Sequence, residues 1–347
     1  MKDFKATDWV QGILDAGEKL AMPITTSLGM ELIDRPLAEL FVDGQVQGEC
    51  VVALAQKYPS VAALTQMDLS VEAEAFGAKV RFGKGEAPTV TAGVVSDIES
   101  VEALPVPKVG AGRTFEYIRA GSLAVGRISD RPTLGGIIGP FSLCCRLMDM
   151  SEIMAATRRN PELVHALAEK ATEFLVAYAQ AFKDAGLDGV LVAEPAAGLV
   201  SPAHCQTFSS DYVKKMVDAT QDESFAVILH NCGNAQGQVA SMLFTGARGL
   251  HFGNVVDMNQ IIPQVPEEVL VFGNVDPLKV IKMGKVFDVK SRTLELLEHM
   301  SRYRNFVLST GCEVPPGATI ENMDAFFKTL DIYNMTQSIR TKWLFGE

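Results

Sequence analysis

Phe225-Ala226-Val227-Ile228-Leu229-His230-Asn231-Cys232-Gly233-Asn234 is the stretch on which the reading of this chain turns. Its first half is a short apolar, partly β-branched run, the signature of a strand buried on both faces in a parallel sheet. Its second half switches at once to polar residues and glycine, as a chain does on leaving such a strand. Turn chemistry accounts for the asparagines and the glycine. It does not account for His230 and Cys232, which are not turn formers. Standing two apart in extended backbone, their side chains share a face and can reach one ion at about 2.0–2.3 Å.

The same form recurs along the chain. Strands are expected at Ile24–Ser27, Ala62–Gln66, Thr133–Ile138, Gly189–Ala193, Phe225–Leu229, Gly249–Phe252, Val269–Phe272 and Asn305–Ser309, from their length, β-branched content and bounding glycine or proline. Helical patterns lie between most of them. The clearest is 161–186, where Leu163, Leu167, Ala171, Phe174, Leu175, Tyr178 and Phe182 form one apolar stripe; others are 210–218, 236–245, 289–301 and 320–334. Eight strands interspersed with helices predict an α/β fold, a single (β/α)8 TIM barrel occupying residues 1–347. Residues 1–20 read as a peripheral N-terminal helical extension. Residues 77–131, between the second and third strands, are too long for one crossover. They read as an insertion carrying a small hairpin, Ala78–Phe82 against Thr89–Val95. Phe252-Gly-Asn-Val255 echoes Phe272-Gly-Asn-Val275 after the sixth and seventh strands, as equivalent turns of a barrel would.

A barrel carries its chemistry on the loops that follow its strands. Glu194-Pro195 follows the fourth strand, His230 and Cys232 the fifth, Asn254 and Asp257 the sixth, Asn274 and Asp276 the seventh, and Gly311-Cys312-Glu313 the eighth. One imidazole and two thiols, from His230, Cys232 and Cys312, would thus meet on one rim, a set that suits zinc with a fourth position left open. The competing reading is a buried thiol pair beside a hydrogen-bonded histidine. Glu194 has several roles open to it: a displaceable fourth ligand, a proton acceptor, a helix cap or an arginine partner. Asp276, before Pro277, also fits an Asx-turn or N-cap. His251 reads as a satisfied interior residue. Cys50, Cys144, Cys145 and Cys205 read as packed core thiols.

Composition narrows the classes. A chain of 347 residues with 48% hydrophobic content buries a large core, and six cysteines in that length make no disulfide framework. A net charge of −11 leaves no basic face for nucleic acid. The first residues hold no apolar leader segment and no run approaches membrane-spanning length, so a cytoplasmic enzyme is expected.

Glu194-Pro-Ala-Ala-Gly-Leu-Val-Ser-Pro202, Leu229-His-Asn-Cys-Gly233, Phe272-Gly-Asn-Val-Asp-Pro277 and Thr310-Gly-Cys-Glu-Val-Pro-Pro-Gly317 together carry a resemblance, with weaker matches at Glu72–Ala78 and Gly139–Ser142. The chain resembles the uroporphyrinogen decarboxylase superfamily. Within it, the His-x-Cys and distant Cys pattern is similar to the zinc-dependent corrinoid methyltransferases (methylcobamide:coenzyme M methyltransferases and chloromethane-type relatives). The decarboxylases carry an N-terminal Arg-Gln-Ala-Gly-Arg segment that grips substrate carboxylates. The corresponding stretch here, Met22–Met30, has no arginine, which counts against a porphyrinogen substrate. The resemblance implies zinc on His230, Cys232 and Cys312, with Glu194 as a resting placeholder. It also implies a methylcorrinoid donor carried by a separate corrinoid protein and a small-molecule thiol acceptor such as coenzyme M. Asn254, Asn274 and Asp276 would contact substrate. No Asp-x-His-x-x-Gly cobalamin signature occurs, so the corrinoid would come from that partner. Two alternatives stand: a metal-free decarboxylase-like lyase, and a binding protein of the corrinoid system with structural zinc.

Overall fold

A computed structural model describes residues 4–345. Eight parallel strands form one curled sheet: β1 Leu20–Ala21, β2 Ala63–Leu64, β5 Thr133–Ile138, β6 Gly189–Ala193, β7 Ala226–Asn231, β8 Gly249–Phe252, β9 Leu270–Val275 and β10 Phe306–Thr310. Their order is β1-β10-β9-β8-β7-β6-β5-β2. No ladder joins β1 to β2. A backbone bond from Val61 N to Ala21 O (2.9 Å) spans that seam. The architecture is an α/β fold consistent with a TIM-like barrel.

Side-chain parity in these strands divides two buried layers. Leu191, Ile228, Leu270, Phe272 and Val307 face an interior cluster that also holds Met22, Ile24, Leu64 and Leu134. Val190, Val192, Val227, Leu229, Leu250 and Leu308 face the surrounding helices instead, among them the stripe of Pro161–Asp184. That helix starts where expected because Asn160 caps it, accepting from Leu163 N, and Pro161 occupies its first turn.

Three expectations need adjusting. The first strand lies at Leu20–Ala21, not Ile24–Ser27; Thr26–Leu28 is a turn of 3-10 helix beyond it. The N-terminal helix, Ala6–Leu14, is more than peripheral. Val10, Ile13 and Leu14 join the interior cluster, and Trp9 Nε1 donates to Val61 O at 3.0 Å. The strands also run further than the apolar runs did: β7 includes His230 and Asn231, and β9 runs through Gly273-Asn274 to Val275. Between β2 and β5 the hairpin is present as β3, Lys79–Arg81, antiparallel to β4, Thr89–Ala92, followed by helices Ile98–Ala103 and Thr114–Val125. No described helix is long and apolar enough to cross a membrane.

Candidate metal centre at the strand C-termini

Because Ile228 points inward, so does His230 two residues on, and Cys232 continues the same parity beyond the strand end. Cys312 arrives differently. Val307 and Ser309 are the inward residues of β10, and the chain turns at Gly311 to bring Cys312 round. The ligand atoms of His230, Cys232 and Cys312 all lie within 4.8 Å of one another. Tetrahedral zinc holds nitrogen and sulfur ligands about 3.3–3.8 Å apart, so a small contraction closes the set.

Hydrogen bonding fixes the tautomer of His230. Its Nδ1 lies 3.3 Å from the carbonyl oxygen of His251, which can only accept, so Nδ1 carries the proton. Nε2 is then the lone-pair nitrogen. It is buried and has no hydrogen-bond partner among the described residues. A buried acceptor without a partner costs about 1–3 kcal/mol, and a ligand imidazole characteristically has its other ring nitrogen on a carbonyl in this way. His251 is itself held. Ser309 Oγ donates to Met22 O at 2.6 Å, so His251 Nε2 donates to Ser309 Oγ at 2.8 Å. The two imidazoles meet edge to face, with centroids 4.5 Å apart. His251 is the interior residue expected, though its Nδ1 has no partner among the described residues.

The thiols form a coupled pair, half-buried. A hydrogen bond from Cys312 holds the Cys232 thiol well below the usual range, with His230 acting in the same direction. The same bond, together with burial, pushes Cys312 up. The two thiols are thus held unequally, with Cys232 the more readily ionised of the pair. The donor set and the orphaned imidazole nitrogen fit zinc.

Glycines crowd the loops around these ligands. A Cβ on Gly253 would stand 2.6 Å from the Cα and carbonyl oxygen of Cys232, one on Gly311 would stand 2.4 Å from Asn254 N, and one on Gly198 would stand 2.7 Å from Gly233 Cα. The loops after β6, β7, β8 and β10 therefore meet backbone to backbone.

Glu194 is not in the cluster. Ala193 faces the interior, so Glu194 faces the helical layer. There its buried carboxylate accepts from Phe141 N (2.8 Å) and from Ser142 N and Oγ, at the start of the helix Pro140–Leu147. Burial pushes its pKa up to about 7 against those donors. It is a cap, for the helix after the neighbouring strand rather than the one after its own. Asn254 Nδ2 donates to Asp276 Oδ2 at 3.0 Å, and Asp276 Oδ1 accepts from Leu278 N and Lys279 N as the N-cap of the next helical turn. Asn274 gives its amide to the carbonyls of Gly253 and Val256. All three border a groove of about 500 Å³ between the β8 and β9 loops and the helix Val286–His299.

Sequence reasoning put Glu313 on the rim but missed its pairing with Ser27. Glu313 Oε1 accepts from Ser27 N at 3.0 Å, and Ser27 Oγ donates to Val314 O at 2.7 Å, tying the Cys312 loop to the segment after β1. Nothing local to either sequence signals that pairing.

The chain is similar to several known proteins. A methylcobamide:CoM methyltransferase, MtbA of Methanosarcina acetivorans, is 29% identical over 265 residues, covering 74% of this chain and 76% of the relative. The uroporphyrinogen decarboxylase of Parasynechococcus marenigrum is 30% identical over 214 residues, covering 58% of each. The solved structure of a methyltransferase from Methanosarcina mazei superposes with a TM-score of 0.84 at 22% identity, over 95% of this chain and 99% of that one. The model of the uroporphyrinogen decarboxylase (URO-D) family matches residues 25–333, and this chain belongs to that family.

Proposed function

We propose that this protein transfers a methyl group from a methylcorrinoid, presented by a separate corrinoid protein, to a small thiol acceptor of the coenzyme M type. His230, Cys232 and Cys312 would hold zinc for that purpose. The observation that carries the reading is the buried Nε2 of His230, without a hydrogen-bond partner among the described residues, beside two neighbouring thiols. The relatives named as methylcobamide:CoM methyltransferases support it.

Zinc, when bound, supplies Lewis acidity that keeps an acceptor thiol ionised near neutral pH. The residues of the chain do the rest. His230 offers one defined nitrogen because the His251 carbonyl holds the other. Cys232 and Cys312 bring negative charge, which keeps a bound acceptor sulfur electron-rich and nucleophilic. The glycine contacts fix the loops, so little ordering is left for substrate arrival. Glu194 anchors the start of the Pro140–Leu147 helix beneath the mouth; its amide also donates to His230 O at 2.8 Å, joining β6 to β7. Asn254 and Asp276 are assigned to substrate contact across their groove, and Asn274 to shaping its wall.

The test is zinc stoichiometry together with methyl transfer from methylcobalamin to coenzyme M in wild type, His230→Ala and Cys312→Ala. Both variants should lose stoichiometric zinc and turnover. Full zinc and full activity in either one would sink the assignment.

A further inference from the structure

The opposite, N-terminal end of the sheet holds a second polar centre. Lys19 immediately precedes β1 and is only 8% exposed. Its backbone is clamped by one side chain: Lys19 N donates to Asn334 Oδ1 at 3.1 Å, and Asn334 Nδ2 donates back to Lys19 O at 2.8 Å. Its ammonium donates to the carbonyl of Tyr303 at 2.5 Å, just before β10. Among the described residues no carboxylate pairs with it. Arg302 stacks on the Tyr303 ring, 4.7 Å from its centroid, and donates to the Tyr303 hydroxyl, also without a carboxylate partner among those residues. Both groups border a cavity of about 590 Å³ whose charged lining, among the described residues, is Lys19, Arg302, Arg304 and Lys342 against the single acid Glu18. Arg304 is the one engaged elsewhere, 3.4 Å from Glu267.

Buried ammonium groups without counter-charge are costly, and burial alone draws Lys19 down to about 8. A chain of net charge −11 repels anions as a whole, so a local excess of cations around a cavity runs against the rest of the molecule. The volume is that of a small-molecule site. We propose that this cavity binds a small molecule bearing an oxyanion of the phosphate or sulfonate type, with Lys19 and Arg302 as its two charged contacts. Arg302 presents a planar pair of donors suited to such a group.

Thermal unfolding of the full chain, titrated with inorganic phosphate and separately with pyrophosphate at ionic strength held constant with chloride, tests this. The expected result is a saturable rise in Tm of a few degrees at about 100 times Kd, diminished about tenfold in affinity by Arg302→Gln and abolished by Lys19→Met. Zinc content and methyl transfer should be unchanged in Arg302→Gln, which keeps this site separable from the metal centre. No saturable rise with either anion overturns the proposal, as does an undiminished response in Arg302→Gln. The second criterion decides the matter even if Lys19→Met does not fold.

Discussion

Gly253→Ala probes the candidate centre without touching a ligand. The added methyl would lie 2.6 Å from Cys232 Cα and carbonyl oxygen, where ordinary contact begins at about 3.4 Å. The backbones must therefore part by about 0.8 Å. Gly253 is not in the left-handed region, so alanine suits its conformation and the effect is purely one of space. Nor can Gly253 simply retreat. Its amide donates to Asn231 O at 3.0 Å, and its carbonyl accepts from Asn274 Nδ2 at 2.8 Å. Cys232 has to move, against a tolerance of about 0.2 Å in a metal site. Overpacking of this kind costs about 1–3 kcal/mol, which converts to a loss of about 5- to 150-fold in zinc affinity. Competition with a chromophoric chelator measures it, with circular dichroism to show that the fold persists. Zinc affinity within twofold of wild type would refute the claim that the loop contact positions Cys232.

Glu72 is 2% exposed, and burial pushes its pKa up to about 8, so the folded state favours the neutral acid. Stability from this group is complete below 4.5, falls as pH rises, and at pH 8 and above is lower by about 5 kcal/mol. Glu72→Gln, compared with wild type by urea unfolding at pH 5 to 8, should become the more stable protein as pH rises; parallel profiles would contradict this. Arg113 donates to Asp68 Oδ2 at 2.6 Å and to Glu74 at 2.5 Å, with Asp68 almost wholly buried, so Arg113→Met should cost about 3–5 kcal/mol; a loss below 1 kcal/mol in the same unfolding assay would show the hub is dispensable. Asp276→Ala removes the cap on Leu278 and Lys279 and releases Asn254, for about 1 kcal/mol by differential scanning calorimetry; an unchanged Tm would mean the cap contributes nothing.

Much of the fold was legible because buried parallel strands are short apolar runs between turn signals, and seven of the eight lay where those runs lie. The first strand was not. Two residues long and followed by Pro23, Leu20–Ala21 has no periodicity to read, while Met22 and Ile24 are apolar because they face the interior cluster. The meeting of His230, Cys232 and Cys312 was legible through residue type: histidine and cysteine sit where turn formers belong. Glu194 shows what residue type leaves open. Both faces of β6 are buried, so nothing in Gly189–Ala193 reveals which parity faces the helices, and a carboxylate one residue further on can point to either layer. Its donors come from 52 or 53 residues away, at the start of the helix after β5. The pairing of Glu313 with Ser27 escaped for the same reason, their bond spanning 286 residues.

The unladdered seam gives the three candidate ligands unequal footing. β7, which carries His230 and leads to Cys232, lies near the middle of the strand order, with ladders on both sides. β10, which leads to Cys312, stands one strand from the seam, and its outer neighbour β1 supplies only two residues of pairing. Local opening begins where few backbone bonds must break. His230 and Cys232 thus form the standing half of a clasp and Cys312 the swinging half: an ion taken up by this candidate set would meet the imidazole and the first sulfur together, and the second sulfur would close over it last.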